Sequence, residues 1–423
     1  MSRRTAWLLT AFTVLALVTS RGVLRATPSD RLAGVYDRVT SAGGGETISM
    51  LSLAYRLDDV YMSMEGPCSY HAFDVKADAS ADPEVVYLTG IDTNVVDWTT
   101  LAEDSNEFFC HANLTLDSTR GPEAHNAALG GTHSGWRAFT LVPGRWSIRL
   151  PQGFGVPMRS DERAEFFTMS LNANAGVPDR IVRIRGDLQT TTDASTRPVF
   201  LRSLTGYQQF RGEDKGPATV FDFAAMHAGE LCGAVCNEDL RAIVASRFRD
   251  LDAVLFDSQL LGGLNDLRSF HPGATCCVAN VSELGVLPQF GADNTIHWFV
   301  PPGRHEYITD VTEQLKLPGV STAHYVSGHL HPYGKSLRLI DATTGETVVS
   351  ITARHREDRL GVLEMSEVTS QAGIAVDPSH RYELVAEYEN PTDAPIDAMA
   401  ILYTYFAEPE GTDIRPVEIA SAE

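Results

Sequence analysis

Two histidines one residue apart are the first place where this chain could do chemistry. His329 and His331 lie in Ser327-Gly-His-Leu-His-Pro-Tyr-Gly-Lys-Ser-Leu-Arg-Leu, residues 327–339. In a strand, residues two apart point to the same face, so the pair can present two imidazoles side by side. That arrangement suits a transition metal, although a His-x-His pair in a strand is also an ordinary surface feature. Further on, Ile396-Asp-Ala-Met-Ala-Ile-Leu-Tyr-Thr-Tyr-Phe reads as a strand. It puts Met399, Ile401, Tyr403 and Tyr405 on one face and Ala398, Ala400, Leu402 and Phe406 on the other. A methionine in a strand is usually core filling. Joined to two imidazoles, however, its thioether completes a soft ligand set that prefers Cu(I) to zinc or magnesium.

These pieces resemble a known family. The stretch from about Ile296 to Phe406 is similar to the C-terminal domain of the type II copper, ascorbate-dependent monooxygenases, which include the peptidylglycine α-hydroxylating and dopamine β-hydroxylating enzymes. The matching pieces are Phe299-Val-Pro-Pro-Gly, His329-x-His331-x-x-Gly334-Lys335 and Met399-x-x-x-Tyr403, in the family's order. The resemblance implies copper at His329, His331 and Met399, with Tyr403 as the catalytic-pocket residue. It also implies dioxygen and a small organic molecule as substrates and ascorbate or another reductant as electron source. Family members that act on glycine-extended peptides carry an Arg two positions before the first His, where this chain has Ser327. Peptide amidation is therefore not expected.

The family has a second copper, held by three histidines in an N-terminal domain. Tyr61-Met-Ser-Met64 resembles that domain's early strand. Arg149-Leu-Pro-Gln-Gly-Phe-Gly through Phe166-Phe-Thr-Met-Ser-Leu-Asn172 resembles its closing strands. Of the three matched ligand positions only His111 is a histidine, the others being Cys110 and Asn172. His111 is the candidate for a degenerate second copper site, which His71, His125 or His133 would have to complete. The alternative to an enzyme is a non-catalytic exported copper-binding protein.

Such ligands need strands to hold them. Short apolar runs separated by Gly, Pro, Asn and Asp predict strands over 47–57, 85–89, 165–171, 181–184, 297–300, 336–340, 347–352, 381–388 and 398–406. That spacing points to a mostly β protein of two antiparallel, jelly-roll-like β-sandwich domains, over 30–190 and 191–410, with a tail at 411–423. One region differs. Leu240, Ile243, Val244, Phe248, Leu251, Val254 and Leu255 recur at helical spacing behind Asn237 as N-cap. This predicts a helical insertion at about 213–290, which also holds Cys232, Cys236, Cys276 and Cys277.

Arg3 and Arg4 precede an apolar run from Ala6 to Val18, too short to span a bilayer but suited to a signal peptide over 1–26. An uncleaved N-terminal anchor is the competing reading. The expected location is outside the cytoplasm, secreted or periplasmic. There an even set of 6 cysteines reads as disulfides, with Cys68 and Cys110 one candidate pair. The net charge of −21 argues against nucleic-acid or anionic-membrane partners.

Overall fold

The computed structural model describes residues 33–41, 45–57, 60, 67–76, 84–117, 135–177, 180–209, 294–296 and 298–407. The candidate signal peptide, the expected helical insertion with its four cysteines, and the tail at 411–423 lie outside these residues. What is described is almost entirely antiparallel strand, as the alternating apolar runs require.

The first sandwich pairs an eight-stranded sheet with a four-stranded one. The larger runs Gly34–Thr40, Glu46–Leu51, Arg180–Thr191, Val85–Asp97, Phe154–Arg159, Arg197–Pro198, with two short strands attached. The smaller runs Cys68–Asp74, Arg163–Ser170, Phe109–Asp117, Gly135–Leu141. In the second sandwich the sheet Phe200–Thr205, Ala400–Ala407, Ser321–Leu330, Val368–Val376 packs on a five-stranded sheet. That sheet runs Gly303–Asp310, Tyr382–Asn390, Gly334–Asp341, Glu346–His355, Val362–Met365. Arg197–Pro198 still pairs within the first sandwich and Phe200–Thr205 within the second, so the boundary falls at Val199 rather than after residue 190.

The strand Ser321–Leu330 is buried on both faces, and each face has its own partner. Val326 and Leu330 join the core of the second sandwich. Tyr325 joins a cluster that continues into the first sandwich, as do Tyr403 and Tyr405 of the neighbouring strand Ala400–Ala407. A strand buried on both sides has lost the alternation of an ordinary sandwich strand. Gly328 permits this, because a Cβ there would stand 2.7 Å from Leu337 Cδ1 on the facing sheet.

Polar links fix the same boundary. The Asn174 amide donates to Leu360 O at 2.9 Å and accepts from Leu360 N at 3.0 Å. Tyr405 donates to Ala138 O at 3.0 Å, and Met365 N donates to Gly144 O at 2.9 Å. Arg359 Nε lies 3.0 Å from a Glu107 carboxylate oxygen. The His-x-His strand thus runs along the seam between two docked sandwiches.

Candidate metal centre at the domain interface

His329 is next to last in its strand, and His331 follows just past the end. Pro332 and Tyr333 then turn the chain, closed by Gly334 N donating to His331 O at 3.1 Å. Tyr333 takes a positive φ of 71°, a costly conformation for a residue with a side chain. The two imidazoles fall on the same side, with ring centroids 5.0 Å apart, and both rings are buried.

Met399 lies where the chain changes sheets. Ile396–Ala398 pairs with Trp298–Val300, whereas Ala400–Ala407 pairs with Ser321–Leu330. His329 is registered with Ile401 and Leu330 with Ala400. Extending that register one step sets His331 opposite Met399, and directly opposed residues share a face. The Tyr388 hydroxyl fixes this adjacency. It accepts from His331 N at 3.1 Å and Met399 N at 3.3 Å, and donates to Met399 O at 2.6 Å. Met399 is buried, yet among the described residues it belongs to none of the three apolar clusters.

His111 arrives from the other domain. In Phe109–Asp117 the register shifts so that Met169 opposes His111 while Ser170 opposes Phe109, leaving Cys110 as the extra residue of a β-bulge. A bulge re-aims side chains, and here Cys110 Sγ lies 3.0 Å from His111 Nδ1. The His111 ring centroid is 5.2 Å from that of His329. His111 therefore stands beside the His-x-His pair, not in a site of its own. On the far side, His331 Nδ1 lies 2.6 Å from Asp397 Oδ2. Thiol and carboxylate have matching positions: each lies against the Nδ1 of one imidazole, as do the outer-shell groups that orient metal-binding histidines.

Two imidazoles bound to one tetrahedral ion through metal–nitrogen bonds of about 2.0 Å have centroids roughly 5 Å apart. The spacings of 5.0 and 5.2 Å fit that requirement. Among the described residues, no three His, Cys, Asp or Glu side chains already close into a metal cage. The rings stand at that centroid spacing without closing a cage.

The three imidazoles and Cys110 line one end of a cavity of about 430 Å³ whose walls include Phe299, Ile396, Leu360 and Val362. A more open hollow of about 710 Å³ lies elsewhere along the seam, lined by Asp92, Trp146 and Arg185 among others, and carries neither imidazole nor thiol.

Other residues singled out in the sequence are placed away from this end. Tyr403 does not line the cavity. It is buried in the interdomain cluster opposite Ser327 in register, beside the Arg137 guanidinium, and burial pushes its phenol well above the usual range. The pleat put it on the correct face, but that face is covered by the first sandwich. Lys335 is held by Glu389 at 2.9 Å. His71 sits between Phe73 and Phe166, and the strand Arg163–Ser170 separates its strand from that of His111. It cannot complete a site with His111. His125 and His133 lie outside the described residues. Asn172 accepts from Asn174 N at 3.3 Å. Cys110, by contrast, lines this end, and its register puts a whole strand, about 10 Å of sheet, between its strand and that of Cys68. That register does not suit the expected Cys68–Cys110 disulfide, which needs Cα atoms within about 7 Å.

Sequence reasoning missed Asp397, Tyr388 and Arg356. Only Asp397, two residues before Met399, carried a readable signal.

No family model and no curated protein matches this chain. Among solved structures, vicilin from Solanum lycopersicum (tomato) aligns at 10% identity over 90% of this chain and 85% of that one, with a TM-score of 0.16. Vicilin from Corylus avellana (hazelnut) aligns at 8% identity over 87% and 76%, with a TM-score of 0.15. Likenesses this low carry no argument. The β-sandwich class rests on the strands themselves.

Proposed function

We propose that this chain binds a single copper ion at the domain interface and serves as a copper-dependent monooxygenase-like protein acting on a small organic molecule in the adjoining cavity. His329, His331 and Met399 of the second sandwich are the ligands, and His111 of the first joins them. The observation that carries this reading is the placing of three imidazoles from two domains at 5.0 and 5.2 Å centroid spacing; the backbone register that sets Met399 opposite His331 supports its thioether as the further ligand.

Copper would supply dioxygen activation. In the reaction class one oxygen atom enters a C–H bond and the other leaves as water. An external reductant such as ascorbate supplies two electrons, and two protons are taken up. The chain's own residues orient and enclose. Asp397 and Cys110 hold the Nδ1 atoms of His331 and His111, Tyr388 fixes the backbones of His331 and Met399, and the apolar walls exclude water from the substrate.

A second reading, a non-catalytic exported copper-binding protein, is favoured by one observation. His111 stands with the first site, which leaves no separate centre among the described residues to deliver a second electron. Copper stoichiometry with ascorbate-driven oxygen uptake separates the two. One copper with uptake supports the enzyme, one copper without uptake supports the binder, and no copper at stoichiometric loading overturns both.

A further inference from the structure

The geometry points to Arg356 as the anchor for a carboxylate, so that the molecule the cavity takes is a small apolar acid. This deepens the copper reading by naming the substrate class, and rests on that reading for what then happens to the acid.

Arg356 lines the same cavity as the imidazoles. Arg356 is half-buried; its Nε is fully buried with no hydrogen-bond acceptor, and among the described residues its guanidinium makes no ion pair. A buried donor left without an acceptor is costly, and a charged one more so. The carboxylates on the cavity wall are otherwise engaged: Asp397 faces His331 at 2.6 Å and Glu107 faces Arg359 at 3.0 Å. Neither neutralises Arg356.

The local backbone makes room for this side chain. Gly361 has a φ of +152°, and a Cβ there would stand 3.3 Å from Arg356 Cδ and 3.6 Å from Nε. The guanidinium stem thus runs along a position without a side chain. The rest of the wall, including Phe299, Ile396, Leu360 and Val362, offers apolar surface. A planar guanidinium presents parallel N–H donors that match a carboxylate bidentately. Apolar walls with one convergent cation select a molecule with a hydrophobic body and one anionic end. In a chain of net charge −21, only such a local cation can hold an anion.

The test uses the full chain, first without metal and then loaded with copper, and the isosteric probes 3-phenylpropionate and 3-phenylpropanamide. In the metal-free protein the acid should bind about tenfold or more tighter than the amide, as a charge-assisted pair provides. Arg356→Met should erase that preference while leaving amide affinity and copper stoichiometry unchanged. Equal binding of acid and amide, no binding of either, or a preference that survives in Arg356→Met overturns the inference. Copper binding without acid preference sinks only the carboxylate anchor; acid preference without copper binding sinks only the copper reading.

Discussion

The imidazoles of His111 and His329 belong to different domains, yet their ring centroids are 5.2 Å apart. A β-bulge at Cys110 on one side and a doubly buried strand on the other bring them together. The candidate centre is therefore a property of how the sandwiches dock, and its parts can be tested one at a time.

Replacing His111 with Ala should weaken copper binding by more than the roughly 10–100-fold typical of groups one shell further out. Competition titration against a Cu(I) chelator measures this directly. Unchanged affinity would remove His111 from the ligand set.

Met399→Leu nearly conserves volume, so it should cost under about 1.5 kcal/mol in folding stability. The same change should weaken Cu(I) binding markedly, because the thioether is the softest donor in the set. A variant with wild-type Cu(I) affinity would show that Met399 only packs.

Asp397→Asn and Cys110→Ser change only the groups at the two Nδ1 atoms. Each should lower copper affinity by about 10–100-fold through lost orientation. Chelator competition with circular dichroism as a control checks this; a loss of fold matching the loss of affinity would assign both residues to structure.

Tyr388→Phe deletes the hydroxyl that accepts from His331 N and Met399 N and donates to Met399 O. Leaving those buried groups unsatisfied should cost about 3 kcal/mol in urea denaturation. Copper affinity should fall as well, since both ligands lose the same anchor.

Burial lowers the His71 pKa from 6.5 to about 4. The folded protein holds this ring neutral, so its contribution is complete above 6.5 and is lost as pH falls through about 4. Between pH 7 and pH 4.5 that amounts to about 2–3 kcal/mol. His71→Leu should flatten the stability profile across that window. An unchanged slope in denaturation at the two pH values would place the acid sensitivity elsewhere.

The sandwich class was legible because period-two alternation between turn residues survives in most strands, as in Tyr382–Asn390. The His-x-His pair and Met399 were legible by type and spacing. The break at Met399 was not: a run that reads as one strand changes partners there, which depends on Trp298–Val300 far back in the chain. The place of His111 was hidden for the same reason, since nothing local to Cys110-His111 encodes how the second sandwich docks. Tyr403 shows the limit of pleat arguments. Alternation gives a face, while what covers that face is settled by long-range packing.

The Asn174–Leu360 amide clamp and the seam around it mean that neither half alone carries the full donor set. On the proposed copper reading, metal uptake would then double as a maturity check. A chain whose halves have not yet mated would offer the ion only fragments of its nest, so loading would report that assembly is finished, and a bound ion would in turn rivet the halves together.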